Sequence, residues 1–204
     1  MQTNLCILDH IETREAFRAW LEEHHASEKE CYLKLVRGRP RADGRFYYLD
    51  AVEEALCFGW IDSTHRVIDG VRLQRFSPRA KRSHWTELNR ARVRRLEATG
   101  RMTDAGRAVL PREEYEPPEK LLGELREAGV YEAFLGFPEL YRRIRLYNLD
   151  FTMRRDPEAG RRALRRLIRE TKAGRTYGEW NDYGRLTEPY EKPDGAPSQI
   201  GNKK

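Results

Sequence analysis

The run EALCFGWIDSTHRVIDGVRLQRFSPR, Glu54–Arg79, decides how this 204-residue chain folds. Its first residues finish a helix that begins near Asp50: Asp50 and Glu53 have the spacing of a capping box, and Val52, Ala55 and Leu56 make the buried stripe. Gly59 stands where a left-handed C-terminal cap is wanted. Trp60 therefore opens a new element. Asp69-Gly70 is a strong two-residue hairpin turn, and such a turn sets the register of the strands on either side. Ile68 then faces Val71, Arg66 faces Leu73 and Thr64 faces Arg75. Counting on without interruption makes Asp62 and Arg75 diagonal neighbours on one face, close enough for an ion pair.

Working outward, Thr13 can cap a helix carrying Phe17, Trp20 and Leu21 at i, i+3 and i+4. ECYLKLVRG reads as a strand with Cys31, Leu33 and Leu35 on one face, followed by a polar Gly/Pro loop to about Arg45. After SPRAKR, Ser83 is the expected N-cap of a helix over His84–Ala98, with Gly100 ending it and Arg90, Arg94 and Arg95 outside. Thr103 caps a shorter helix. VLPREEYEPPE is the one linker by composition. Beyond it EKLLGELREAG, YEAFLGF and ELYRRIRLYNLDFTM read as helices, and Asp156 with Pro157 opens the last one, whose buried stripe is Leu164, Leu167 and Ile168. These elements predict an α+β fold: a small, mainly antiparallel sheet packed by helices, then an all-helical C-terminal segment. The divisions expected are 1–110 for the core domain, 111–119 for the linker, 120–176 for the helical segment and 177–204 for an extended or disordered tail.

Composition narrows the function classes. No apolar run reaches membrane-spanning length and MQTNLCILDH lacks the features of a signal peptide, so a cytoplasmic protein without membrane insertion is expected. Cys6, Cys31 and Cys57 are far apart with no CxxC pair, which reads as reduced core residues and not a disulfide frame or zinc site. The formal net charge is +6, concentrated in two blocks: residues 72–101 hold 10 basic and 2 acidic side chains, residues 141–175 hold 12 and 4. Clustered positive charge attracts phosphates and acidic partners.

Four motifs in order, EALCFGWID, RFSPR, SHWTELNRARV and GRMTDAG, resemble the YdeI/OmpD-associated family of bacterial proteins, also labelled bacteriocin-protection proteins. The resemblance covers residues of about 10–110 and is looser over 118–176. It implies a link to bacteriocin or antimicrobial-peptide tolerance, envelope stress and porin regulation. It brings no reaction, cofactor or catalytic set.

The residues themselves offer one principal site. Trp60, Asp62, Arg75, Arg79, Ser83, Trp85 and Asn89 surround the point where the hairpin meets the next helix, and Arg79, Lys81 and Arg82 are delivered to that helix start. Arginines beside helix N–H groups make a ready anion pocket for phosphate, carboxylate or sulfate. The plainer reading is an Asp62–arginine pair that satisfies a polar group at the sheet edge, with Ser83 only capping. Nucleophilic catalysis by Ser63, His65 and Asp62 is disfavoured because strand alternation points the aspartate away from the other two. His24, His25 and Cys31 match no metal-ligand spacing. The expectation is a binding protein for a small anion or a protein partner, without metal or cofactor. The alternative is a nucleic-acid-binding regulator using Arg90, Arg94, Arg95, Arg162 and Arg165.

Overall fold

A computed structural model describes residues 5–80 and 83–190. The fold is α+β. It divides into two compact units: the chain up to Ser83 together with Arg92–Leu110, and His84–Ala91 together with Pro111–Glu188.

The first unit is built on a three-stranded sheet in the order β1-β3-β2, every pair antiparallel, from β1 (Cys31–Leu33), β2 (Trp60–Ile68) and β3 (Val71–Pro78). Its turn is as the dipeptide predicts. Asp69 and Gly70 both take positive φ, 49° and 76°, and Ile68 pairs with Val71. Helix α1 (Arg14–His24) is capped by Thr13, whose Oγ1 accepts from the Ala16 amide at 3.1 Å. Phe17 of α1 meets Phe46 and the strand residue Phe76, with ring centroids 5.9 and 5.5 Å away. Trp20 stands edge-on to Trp60 at 5.7 Å, and the Trp60 indole N–H donates to the His25 carbonyl at 3.0 Å. Trp60 is thus a core residue that ties β2 to the end of α1.

Helix α2 (Tyr48–Cys57) starts three residues earlier than the Asp50–Glu53 spacing suggests. A backbone bridge between Val36 and Tyr47, with the Tyr48 amide donating to the Val36 carbonyl at 2.9 Å, holds the entry to the helix. Asp50 and Glu53 instead pair with Arg14. At the other end Gly59 takes φ +74°, and a Cβ there would lie 2.9 Å from the Ala105 carbonyl oxygen. Helix α4 (Asp104–Ala108) packs against this end. Thr103 caps it, accepting from the Gly106 amide at 3.3 Å and donating to the Cys57 carbonyl at 2.6 Å, and a Cβ on Gly106 would collide with that carbonyl. Gly59, Thr103 and Gly106 give FGWID and GRMTDAG a packing reason.

Helix α3 (Glu87–Ala98) contributes its first residues to the second unit and the rest to the first. It begins three residues later than expected. Thr86 Oγ1, not Ser83, accepts from a first-turn amide, that of Asn89, at 3.1 Å.

The second unit is helical: α5 (Glu119–Glu127), α6 (Tyr131–Leu135), α7 (Glu139–Arg155) and α8 (Pro157–Lys172). Asp156 caps α8 through its Oδ1, which accepts from the Ala159 amide at 3.0 Å, and Pro157 takes the first helical position. Gly160 lets α8 approach α7, since a Cβ there would run into Met153. Leu121, Leu125, Phe134, Tyr141, Leu164 and Leu167 form the core. Tyr115, from the expected linker, packs against it, as do Tyr177 and Trp180 from the expected tail. Among the described residues no helix is long and apolar enough to cross a membrane.

Candidate functional site

The hairpin register changes between His65 and Asp62. His65 pairs with Gln74 as the turn dictates, but Asp62 pairs with Phe76 and Trp60 with Pro78, so an extra residue is accommodated at Ser63–Thr64. This β-bulge overturns the expected Asp62–Arg75 neighbourhood, because past it the faces of β2 are exchanged relative to β3. Its physical support is Gln74. That buried side chain donates from Nε2 to the Ser63 carbonyl at 2.7 Å and to the Thr64 carbonyl at 3.4 Å, meeting the backbone groups the bulge displaces. Arg37 in turn donates to Gln74 Oε1 at 2.5 Å.

Asp62 accepts a hydrogen bond from the Tyr48 hydroxyl at the first residue of α2. Arg75 turns the other way. Its Nε donates to Glu30 Oε2 at 2.6 Å and its Nη1 to Ser63 Oγ at 3.0 Å, and this pairing holds the Glu30 carboxyl below its usual range. Arg37 covers the Tyr48 ring, its guanidinium carbon 3.9 Å from the centroid. Burial raises the Tyr48 phenol, the Asp62 carboxylate adds to that, and Arg92 and Arg37 oppose it. The phenol therefore stays protonated and donates to Asp62 throughout the physiological range.

Arg79 closes the cluster. Its amide donates to the Gly59 carbonyl at 2.9 Å and its Nη1 to Ser83 Oγ at 3.2 Å; the residue is 7% exposed. Burial pulls its guanidinium down to about 10, and the Asp62 carboxylate only partly restores it. The result is a Tyr48–Asp62 pair with Arg37 and Arg92 acting on the phenol and Arg79 drawn to the carboxylate.

Of the seven residues expected to form one pocket, Asp62, Arg79 and Ser83 do belong to this cluster. Trp60 is committed to the core and Arg75 to Glu30. Trp85 and Asn89 are buried residues of the second unit. Lys81 and Arg82 lie outside the described residues. Sequence reasoning missed Tyr48, Arg37, Gln74 and Arg92. The contacts that unite them join residues more than ten positions apart in the sequence.

The arginines of the nucleic-acid alternative are unlike one another. Arg90 pairs with the buried Glu87 at 3.2 Å, Arg95 is half-buried, and Arg94 and Arg165 are exposed. Arg162 lies 3.7 Å from Glu158 with both side chains largely in solvent. Among the described residues no group of three or more His, Cys, Asp or Glu side chains could hold a metal ion.

A second polar cluster on α2 was not anticipated. Glu54 is fully buried and receives Arg14 Nε at 2.5 Å, Arg18 Nη1 at 2.9 Å and Arg101 Nη2 at 2.5 Å. Arg14 also reaches Glu53 at 2.9 Å and Asp50 at 3.3 Å. The only trace of it in the sequence is a pair of glutamates inside an otherwise apolar helical stripe.

The fold and this cluster describe a small α+β unit with arginines gathered at a helix–hairpin junction. Residues 9–109, nearly the extent of that unit, match the model of a domain of unknown function (DUF8412). No curated protein and no solved structure matches the chain.

Proposed function

We propose that the chain is a binding protein whose first unit takes up a small carboxylate- or phosphate-bearing anion beside Tyr48, Asp62 and Arg79. The observation that carries this reading is Arg79. It is 7% exposed, donates to Ser83 Oγ and feels the Asp62 carboxylate, so an anion entering beside Asp62 and Ser83 would meet its positive charge. Arg37 and Arg92 add to the attraction, and Tyr48 keeps Asp62 fixed as a hydrogen-bond acceptor.

The four motifs EALCFGWID, RFSPR, SHWTELNRARV and GRMTDAG support placing the chain with the YdeI/OmpD-associated proteins. With that placement goes a cytoplasmic role in tolerance of bacteriocins or antimicrobial peptides. Asp62, Arg79 and Ser83 all fall inside these motifs or at their edges.

The test is a thermal-shift series with phosphate, sulfate and small carboxylates on the full chain and on Arg79→Met. A ligand at a hundred times its Kd stabilises by about 2.7 kcal/mol. The reading expects a saturable rise in Tm with at least one anion and its loss in Arg79→Met. A rise that survives the substitution would place the anion elsewhere. A second reading, a nucleic-acid-binding regulator, is supported by the exposure of Arg94, Arg162 and Arg165. It requires retention of duplex DNA at low salt that falls steeply as salt is added.

A further inference from the structure

The second unit contains a cavity of about 340 Å³ lined by α7, α8 and the segment at Tyr177. Its apolar floor is Leu149, Ala163 and Leu167, and its polar rim is Arg145, Asn148, Thr152, Arg162, Arg166 and Tyr177. Three of these are arginines and none is a carboxylate. We propose that this cavity is a binding site for a phosphate monoester carrying a small apolar or aromatic group, distinct from the Asp62 cluster and independent of it.

The arginines are prearranged. Arg145 Nη2 donates to the Tyr177 carbonyl, and its guanidinium carbon lies 4.5 Å from the centroid of the Tyr177 ring and 5.2 Å from that of Tyr141. Arg166 lies 4.3 Å from the Tyr177 centroid. Two cations are thus gathered by one aromatic ring, which helps to hold like charges close without a carboxylate between them. Nearby acids are engaged elsewhere or remote in effect. Glu170 accepts from both Arg169 and Arg175, at 2.9 Å each. Glu158 approaches Arg162 only at 3.7 Å in an exposed pair, a contact that water and salt weaken readily.

A dianionic phosphoryl group suits this rim better than a carboxylate does. It offers three terminal oxygens to three guanidiniums, and arginine binds such oxygens through paired, charge-assisted hydrogen bonds. Asn148 and Thr152, one turn apart on α7, add a neutral amide and a hydroxyl to the same rim. The leucine floor suits the organic part of the ester, and the volume lies at the lower end of small-molecule sites. This places the second basic block of the sequence around a pocket, where a solvated arginine-rich helix face is the ordinary expectation.

The experiment titrates the full chain with phenyl phosphate at low ionic strength by calorimetry, with benzoate and phenol as companions. Phenyl phosphate should bind saturably, benzoate much more weakly, and phenol not measurably. Arg166→Ala and Arg162→Ala change exposed side chains that the fold does not need, and each should weaken phenyl phosphate roughly tenfold, about the worth of one charge-assisted hydrogen bond. Arg161→Ala, an exposed arginine of the same helix outside the cavity, should leave binding unchanged. Gly178→Ala should also weaken it, because the new Cβ would lie 2.8 Å from Arg145 Nη2 and push that guanidinium away. Absence of saturable binding, equal affinity for benzoate, or equal losses in Arg161→Ala and Arg166→Ala would each overturn the proposal. Arg79→Met should bind phenyl phosphate in this cavity as the unsubstituted chain does, which separates its fate from that of the first unit's anion site.

Discussion

Helix α2 carries two arginine-rich clusters in which carboxylates and arginines meet in different proportions. Around Glu54, three carboxylates, Asp50, Glu53 and Glu54, meet Arg14, Arg18 and Arg101 through short, directed pairs. Around Tyr48, one carboxylate, Asp62, lies among Arg37, Arg79 and Arg92. The first set balances its charge and binds α1, α2 and the segment before α4 into one body. The second brings Arg37, Arg79 and Arg92 about one Tyr48–Asp62 hydrogen bond, with Arg79 buried. Buried charge is costly unless it is matched, so the first set is explained by the fold, and the second is where an anion is proposed to bind.

The contrast breaks most visibly at Glu54. Replacing Glu54 by Gln leaves three arginines facing a neutral amide, and removing one partner of a buried ion pair costs about 3–5 kcal/mol. Urea denaturation should show this as a large fall in midpoint with an unchanged slope. The pH dependence sharpens it. Burial pushes the Glu54 carboxyl up, but Arg14 and Arg101 outweigh that, and the net direction is down. The folded value is then below the ordinary value of 4.5, so the stabilisation is complete above that pH and lost as pH falls through the folded value. The stability gap between the native chain and Glu54→Gln should therefore be widest near neutrality and shrink in acid. A gap independent of pH would contradict the assignment.

Tyr48→Phe should have a smaller effect. It removes one hydrogen bond to a carboxylate, about 1.5–3 kcal/mol for a charged acceptor, and leaves the helix entry intact because the Tyr48 amide still donates to Val36. Denaturation should show the loss, and anion-induced stabilisation should persist in reduced form. Smallest of all is the expected cost of Arg79→Met in anion-free buffer. The substitution loses the hydrogen bond to Ser83 Oγ and the attraction of Asp62 but relieves a desolvated guanidinium and keeps the length of the side chain, so stability should fall by only about 1 kcal/mol.

Much of the fold was legible because its signals are local. Asp69-Gly70 set the turn, Gly59 ended α2, and Thr13, Thr103 and Asp156 capped the helices they were expected to cap. The bulge was not legible. A two-residue periodicity carries no mark of an inserted residue, and the bulge is supported by a Gln74 side chain whose role depends on where β3 and Arg37 lie. The same limit explains the mistaken Asp50–Glu53 capping box and the Ser83 cap. Those polar residues fit a local rule, but Asp50 and Glu53 are used by Arg14, 36 positions away in the case of Asp50, and Ser83 by Arg79. The proposed anion site was thus approached from Asp62 and Arg79, but with Arg75 counted beside them, which Glu30 takes instead.

The most direct test of the central claim compares the two clusters in one titration. Phosphate and a small carboxylate are added to the native chain, to Arg79→Met and to Arg18→Ala, and Tm is followed to saturation. Arg18→Ala should be less stable at every concentration yet keep the full anion-induced rise; Arg79→Met should keep most of its stability and lose the rise. An anion response that disappears with Arg18 and survives without Arg79 would contradict the account.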